Sequence, residues 1–487
     1  MPAGFASAAQ TTTAPVAATQ VAAEAPPLAD SAASPSTRSG KKKSAAEKKL
    51  NPIVLIGGGV ALAAVVGVAA LFLMPGSKPS GSKSNNSKAT ASKSSSRKKN
   101  SEPGTEPAAA GPRQPFLSKR ELTVGPGAKF ATLSAALDDL RSEFKRYESD
   151  FDRTKRSVTR TIKVSGGQTL NERIVLDNRI PPGVRITVEE GQTATLAPSG
   201  SDPVIDLKGT VDRAQISGFV IDAQGKGTAI RMSGYLGGLV LKDLQIRGYS
   251  KSGVQCDGAF GGSTVRERIV VDNCRFETGS ADAIGIRLLK GEDDPGYLRV
   301  QQCRFIGPQA AGISIDTNLV YLQVVHGLFS RMKTGIEVLG DNRRIRDLIV
   351  THSTFYQGEK GIAFADQPDP QSNGLGFYNN LFSGQTGPNF SIAKDFKEND
   401  FLMLYTKAGG GAFSNLTDAD RPEPAPPGLL RLFDAQGHWG IKDVKFQSTD
   451  PANPAFLKPA ADSPAITLGR SPEVPEFKEP QIGALKP

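Results

Sequence analysis

Three cysteines, three histidines and one tryptophan occur among 487 residues, and each scarcity removes a class of protein. An odd, low cysteine count excludes a disulfide framework, and no Cys-x-x-Cys pair supplies zinc-ligand spacing. Positive charge is also scarcer than the formal net charge of +10 suggests. Residues 1–115 hold 14 Lys and Arg against 5 Asp and Glu, whereas residues 116–487 hold 45 against 44. Nucleic-acid binding needs a folded surface rich in phosphate-neutralising cations, and this near-neutral region has no excess to build one. No nucleic-acid partner is expected.

Large apolar side chains are almost absent from residues 1–50, which are rich in Ala, Thr, Ser and Pro. Such a segment cannot bury enough surface to offset chain entropy and reads as disordered. The long apolar run that follows, Ile53–Met74, has no charged or strongly polar residue. As a helix rising 1.5 Å per residue it covers about 33 Å, enough to cross a bilayer core. The run predicts a transmembrane helix over 51–75. A cleaved signal peptide is the rival, but the run starts late, exceeds an ordinary signal core and lacks a clear small-x-small cleavage site. Arg38, Lys41, Lys42, Lys43, Lys48 and Lys49 precede it, and only Lys78, Lys83 and Lys88 follow closely. That asymmetry predicts a cytoplasmic N-terminus and an extracytoplasmic C-terminal region. Gly59, Ala63 and Gly67 line one helix face and could seat a weak homodimer. Residues 76–115, rich in Ser and Lys, read as a disordered tether.

Repeats decide the rest. Seven segments align on one column: Ala214–Ile221, Leu239–Ile246, Ile269–Phe276, Leu298–Phe305, Leu322–Phe329, Leu348–Phe355 and Leu375–Phe382, with steps of 25, 30, 29, 24, 26 and 27 residues. After the first six come second short strands, Ala229-Ile-Arg-Met, Gly253-Val-Gln-Cys, Gly285-Ile-Arg-Leu, Gly312-Ile-Ser-Ile, Gly335-Ile-Glu-Val and Gly361-Ile-Ala-Phe. A period near 27 with strand-length apolar pieces and no helix between them fits a coil stacked on itself. Stacking would place Phe276, Phe305, Phe329, Phe355 and Phe382 in one internal column. A polar column three residues earlier (Asp243, Asn273, Gln302, His326, His352, Asn379) would mark a corner. The fold expected for 116–487 is an all-β, right-handed parallel β-helix. Leu133, Leu137, Leu140 and Phe144 form a helical stripe over 130–147, expected as an N-terminal cap, and irregular Pro-rich sequence from about 420 as the C-terminal cap. Cys274 and Cys303 fall on equivalent positions of successive coils, where a bridge is geometrically possible and two buried thiols are the simpler reading.

This ladder, with Val124–Leu133 at the start and Asp462-Ser-Pro and Ile482-Gly-Ala at the close, resembles the pectin-lyase-like right-handed β-helix superfamily over roughly residues 120–487. Tether, span and β-helix together are similar to the extracytoplasmic part of certain bacterial membrane-anchored Ser/Thr kinases, but kinase motifs are missing here. The superfamily contains polysaccharide lyases and hydrolases. Its hydrolases use clustered Asp residues with a Gly-His-Gly-like element; this chain offers Asp282, with Ala281 where a second Asp would stand, and no Gly-His-Gly. Its lyases use an acidic Ca²⁺ site with an Arg or Lys base; Glu292-Asp293-Asp294 runs into Pro295-Gly296 and reads as a solvated turn. No catalytic residue, metal or cofactor is assigned. His326 and His352 could form a metal pair or pH switch, or simply belong to the corner ladder.

The outward column of the second strands reads Arg231, Gln255, Arg287, Ser314, Glu337 and Ala363, with Asp316 beside it. Arg231, Gln255, Arg287, Asp316 and Glu337 are therefore the candidate ligand-facing stripe, and Asp282 a lone carboxylate candidate. Three functions stay open: non-catalytic binding or sensing of a glycan or envelope polymer, a structural or adhesive envelope spacer, and a polysaccharide lyase or glycoside hydrolase. Paired carboxylates on one face would favour the enzyme, and a groove with stacked aromatics would favour binding. A uniformly polar convex surface would favour the spacer.

Overall fold

Short strands with one apolar face cannot close a core alone, so each must find the next copy of itself. A computed structural model of the chain describes residues 120–147, 159–200, 203–366, 368–369, 371–392, 416–417, 439–440, 444–466 and 483–484. All belong to one compact unit, Thr105–Pro487. The expected N-terminal segment, span and tether lie outside the described residues. Among the described residues no helix is long and apolar enough to cross a membrane.

The chain winds as a right-handed parallel β-helix of about nine turns. A first face stacks ten strands in parallel, from Arg120–Val124 to Asn373–Tyr378. The second and third faces join into one 18-stranded sheet, because Arg304–Asp316 and Leu328–Val338 run through the corner between them. Every repeat segment read from the sequence is two strands, bent at the polar column. Inside the first face, Ile162, Ile186, Ile216, Leu241, Val271, Val300, Val324, Val350 and Phe377 lie in continuous register, and all are buried.

The aromatic column forms as expected. Phe276, Phe305, Phe329, Phe355 and Phe382 stack with ring centroids 4.6, 4.8, 4.7 and 4.8 Å apart and interplanar angles of 12° or less. The spacing is that of neighbouring strands. The column needs a complement that the sequence displays without explaining. Gly253, Gly285, Gly312 and Gly361 each sit beneath the ring of the following coil. A Cβ on Gly312 would stand 2.5 Å from Phe329 Cδ1 and 2.7 Å from the Gly335 carbonyl oxygen. One coil earlier the column holds Ala229, and the following coil carries Ile246 instead of Phe. Glycine begins where the rings begin.

At the corner between the first and second faces, Asp243, Asn273, Gln302, His326, His352 and Asn379 all adopt φ between 49° and 55°. Asn, Asp and His tolerate this left-handed conformation better than most residues, which accounts for the polar column. Asn273 Nδ2 donates to Asp243 Oδ1 at 2.7 Å. The His326 and His352 rings lie 5.2 Å apart. His352 Nδ1 contacts Thr351 Oγ1 at 2.7 Å and its Nε2 contacts Asn379 Nδ2 at 3.2 Å. These histidines are members of the corner ladder.

A second polar column follows one residue later and points inward. Gly327 N–H donates to Ser353 Oγ at 3.1 Å, Ser353 N–H to Asn380 Oδ1 at 2.9 Å, and Asn380 Nδ2 to the Val350 carbonyl at 3.0 Å. Cys274 and Cys303 occupy the same column as free, buried thiols. Burial pushes the Cys303 thiol well up, helped by its contact with Cys274.

The capping helix spans Leu133–Tyr147, and its predicted stripe is buried. It starts later than 130 because the Thr132 hydroxyl accepts the Ala135 N–H at 3.1 Å, an N-cap. Glu172 accepts the Leu133 and Ser134 N–H groups at 3.2 and 2.8 Å. Arg120 ties the helix to the first strand through Asp139 at 2.6 Å and Glu143 at 2.5 Å. At the other end, Leu416–Thr417 and Trp439–Gly440 add parallel rungs after Leu381–Ser383, and residues 444–466 and 483–484 lie against the outside of the second face. Phe456, Leu457 and Ala484 pack on Leu328 and Tyr356, and Val444 and Ala465 on Leu381. Most of 420–443 lies outside the described residues.

Replacing Gly312 by Ala should overpack the aromatic column and cost about 1–3 kcal/mol. In a Phe329→Leu background the same change should cost markedly less. Denaturant unfolding of the four members of this cycle measures the coupling; equal costs in both backgrounds would refute the complementarity of glycine and ring.

Candidate ligand-binding face

Register brings the expected stripe together on the third face. Asp206, Arg231, Gln255, Arg287, Ser314, Glu337 and Ala363 occupy successive rungs of one outward column. Asp316 lies two residues beyond Ser314, diagonal to Glu337. Its neighbour in the coil before is Leu289.

The two halves of this column differ in how their polar groups are satisfied. In the first, Arg231 forks onto Asp206 at 3.0 and 3.1 Å, and the Asp206 carboxylate holds the guanidinium even higher than usual. Gln255 donates to Asp257 at 2.9 Å and accepts from the Thr228 hydroxyl at 3.2 Å. These are closed, structural contacts.

The second half stays open. Arg287 Nη2 approaches Asp316 Oδ2 only to 3.9 Å, and Arg343 Nη2 approaches Asp316 Oδ1 only to 3.8 Å. Arg287 Nε and Arg343 Nε are buried without a hydrogen-bond partner among the described residues. Ser314 is fully buried, and its hydroxyl faces Glu337 without forming a hydrogen bond of normal geometry. Burial raises the Glu337 carboxyl above its ordinary range. The Ser314 hydroxyl, Arg287 and Lys360 pull it back, while Asp316 pushes it up. Buried polar groups are nearly always paired, so a cluster left open marks a functional candidate.

Arg343 escaped the sequence reading because it stands in the loop between Leu328–Val338 and Arg346–Thr351, outside the period. Asp282 is exposed at the start of its coil and is not brought to the Arg287–Glu337 cluster by the register. The Glu292-Asp293-Asp294 run is a turn in which Asp294 accepts from Asn318 at 3.2 Å. Aromatic residues do gather at the edge joining the third face to the first. Tyr235 packs on Phe260 at 5.4 Å, Tyr297 stacks on Tyr321 at 6.3 Å, and the Arg268 guanidinium lies 4.5 Å above the Tyr321 ring. Tyr297 holds this place at φ 52°, a strained conformation for so bulky a residue.

The raised Glu337 carboxyl makes a stability prediction. The folded state keeps its proton to higher pH than the unfolded state, so this group's contribution is intact at acid pH and is lost as pH rises through its folded titration. Glu337→Gln removes that loss. The variant's stability advantage over the parent should grow from acid to neutral pH in urea unfolding, and a pH-independent difference would contradict the assignment.

No protein family and no curated protein matches the chain by sequence. Among solved structures it is similar to pectate lyase Pel9A over 76% of this chain and 96% of that one, at 11% identity and a TM-score of 0.40. It is also similar to ORF18 of Geobacillus virus E2 over 49% and 54%, at 12% identity and a TM-score of 0.29. The parallel register carried from coil to coil is that of a parallel β-helix.

Proposed function

We propose that this chain is a membrane-anchored, extracytoplasmic glycan-binding protein. The helix over 51–75 anchors it, with its N-terminus cytoplasmic, and the tether over 76–115 carries the β-helix away from the bilayer. The third face takes an extended polysaccharide or envelope polymer. The observation that carries this reading is a contrast on one face: closed contacts at Arg231 and Gln255, and an open one at Asp316, where Arg287 and Arg343 stop at 3.9 and 3.8 Å. Coils spaced by about 4.8 Å repeat donors and acceptors along a line, which suits a linear polymer better than a compact ligand.

A second reading, glycoside hydrolysis, is favoured by one arrangement. Asp316 and Glu337 are carboxyls on neighbouring coils of one face, and Glu337 is held toward its protonated form by burial. A proton donor beside a second carboxylate is what glycosidic cleavage needs.

Incubating the purified chain with a panel of polysaccharides, and scoring retention and product release together, separates the readings. Retention without products is the expected outcome, and Arg287→Gln should weaken it about tenfold, the loss of one charge-assisted hydrogen bond of about 1.5 kcal/mol. Released oligosaccharides would move the assignment to the enzyme. Neither retention nor products would leave the envelope spacer.

A further inference from the structure

Several arginines of this molecule close onto carboxylates. Arg120 reaches Asp139 at 2.6 Å, Arg231 reaches Asp206 at 3.0 Å and Arg247 reaches Asp222 at 3.0 Å. Charge-assisted pairs of this kind settle at about 2.7–2.9 Å. Arg287 and Arg343 do not. They converge on Asp316 from two sides and stop at 3.9 and 3.8 Å, each with a buried Nε that finds no acceptor among the described residues. Ser314, on the rung next to Arg287, is fully buried, and its hydroxyl faces Glu337. Donors outnumber acceptors at this place on the third face.

We infer that Arg287, Ser314, Asp316, Glu337 and Arg343 form a subsite for an anionic group borne on the polymer (a carboxylate, sulfate or phosphate). This rests on the glycan-binding reading and specifies its ligand.

Charge balance supports the anion. Arg287, Arg343 and Lys360 are cationic. Asp316 and Glu337 oppose them, and a protonated Glu337 leaves the cluster with an excess of two positive charges. Covering two guanidiniums with a neutral sugar would desolvate them without compensation, whereas an anion supplies the acceptors that Asp316 is too distant to provide. The groups facing Glu337 are Ser314 and Asp316 from the coil before, Arg287 from the coil before that, and Lys360 from the coil after. A second anion beside Asp316 adds to the repulsion of an ionised Glu337. Binding and protonation must therefore strengthen each other, since linkage is reciprocal. Affinity should be greatest at pH values where Glu337 holds its proton in the free protein, and should fall as pH rises through its titration.

The test uses the whole chain and matched polymers: a uronic-acid polysaccharide, the same polymer with its carboxyls reduced to alcohols, and sulfated and phosphate-bearing polymers. Affinities are measured across acid to neutral pH, and proton uptake by calorimetry in two buffers of different ionisation enthalpy. At least one anionic polymer should bind ten times or more tighter than the reduced one. The strongest of the three names the anion. Its affinity should fall about tenfold per pH unit above the Glu337 titration, as coupling to one proton requires. Glu337→Gln should abolish both the slope and the proton uptake while keeping the acid-pH affinity. Arg287→Gln and Arg343→Gln should erase the preference for anionic over reduced polymer, and Arg247→Gln on the second face should leave it intact. Equal binding of reduced and anionic polymers would overturn the inference, as would a pH slope that survives Glu337→Gln; either leaves glycan binding itself standing. Retention of no polymer at all would overturn both.

Discussion

The constraint on which this molecule depends is that each coil lies directly on the next, at the spacing of hydrogen-bonded strands. Under that rule a side chain is judged against its own counterpart one coil away. Flat rings can repeat indefinitely, because faces stack at the same distance as strands. The ring column then dictates its neighbour. Backbone must pass beneath each Phe, and only glycine leaves room. Glycine thus serves here by its lack of a Cβ, not by its conformational freedom.

Polar groups obey the same rule. At the corner, residues that tolerate a left-handed conformation recur and bond to one another along the axis, while a second column behind them serves the backbone of the preceding coil. An internal thiol, hydroxyl or amide can occupy that second column because each finds a backbone carbonyl within reach, on its own coil or the one before. Chain ends and outer flanks escape the repetition. At the N-terminal end a capping helix covers the first coils through a network of Arg120, Arg160, Asp139 and Glu143, protecting an edge that would otherwise offer unpaired strands. On the second face the outward column changes from Gln245, Arg275 and Arg304 to Leu328, Thr354 and Leu381 where the C-terminal segment covers it.

Along the third face the open cluster contrasts with the closed contacts of Arg231 and Gln255. Two guanidiniums converge there on one carboxylate that stops short of both. Preorganised donors of this kind cost stability in the free protein and are repaid when a ligand supplies acceptors. The same region holds the Glu337 carboxyl, which burial raises above its ordinary range.

How much of this was legible depended on whether a feature repeats. The Phe column, the polar corner and the outward stripe could be read because a 24-to-30-residue period places equivalent residues together, and hydrogen bonding between coils enforces the same alignment in space. The apolar stripe of the capping helix was legible for a similar reason, at a period of 3.6. The glycine column was visible, but its purpose required knowing that the ring of the next coil lies above it. Arg343 could not be found, because it sits in a loop whose path no period describes. The side-on packing of Phe456, Leu457 and Ala484 was hidden because those contacts join residues about 100 or more positions apart. The sequence by itself determined the coil, its period and which side chains would pile up, since those follow from local pattern and strand spacing. Only the tertiary structure decided which of the stripe's charges close on one another and which stay open, because that turns on ångström differences between side chains from three coils and a loop.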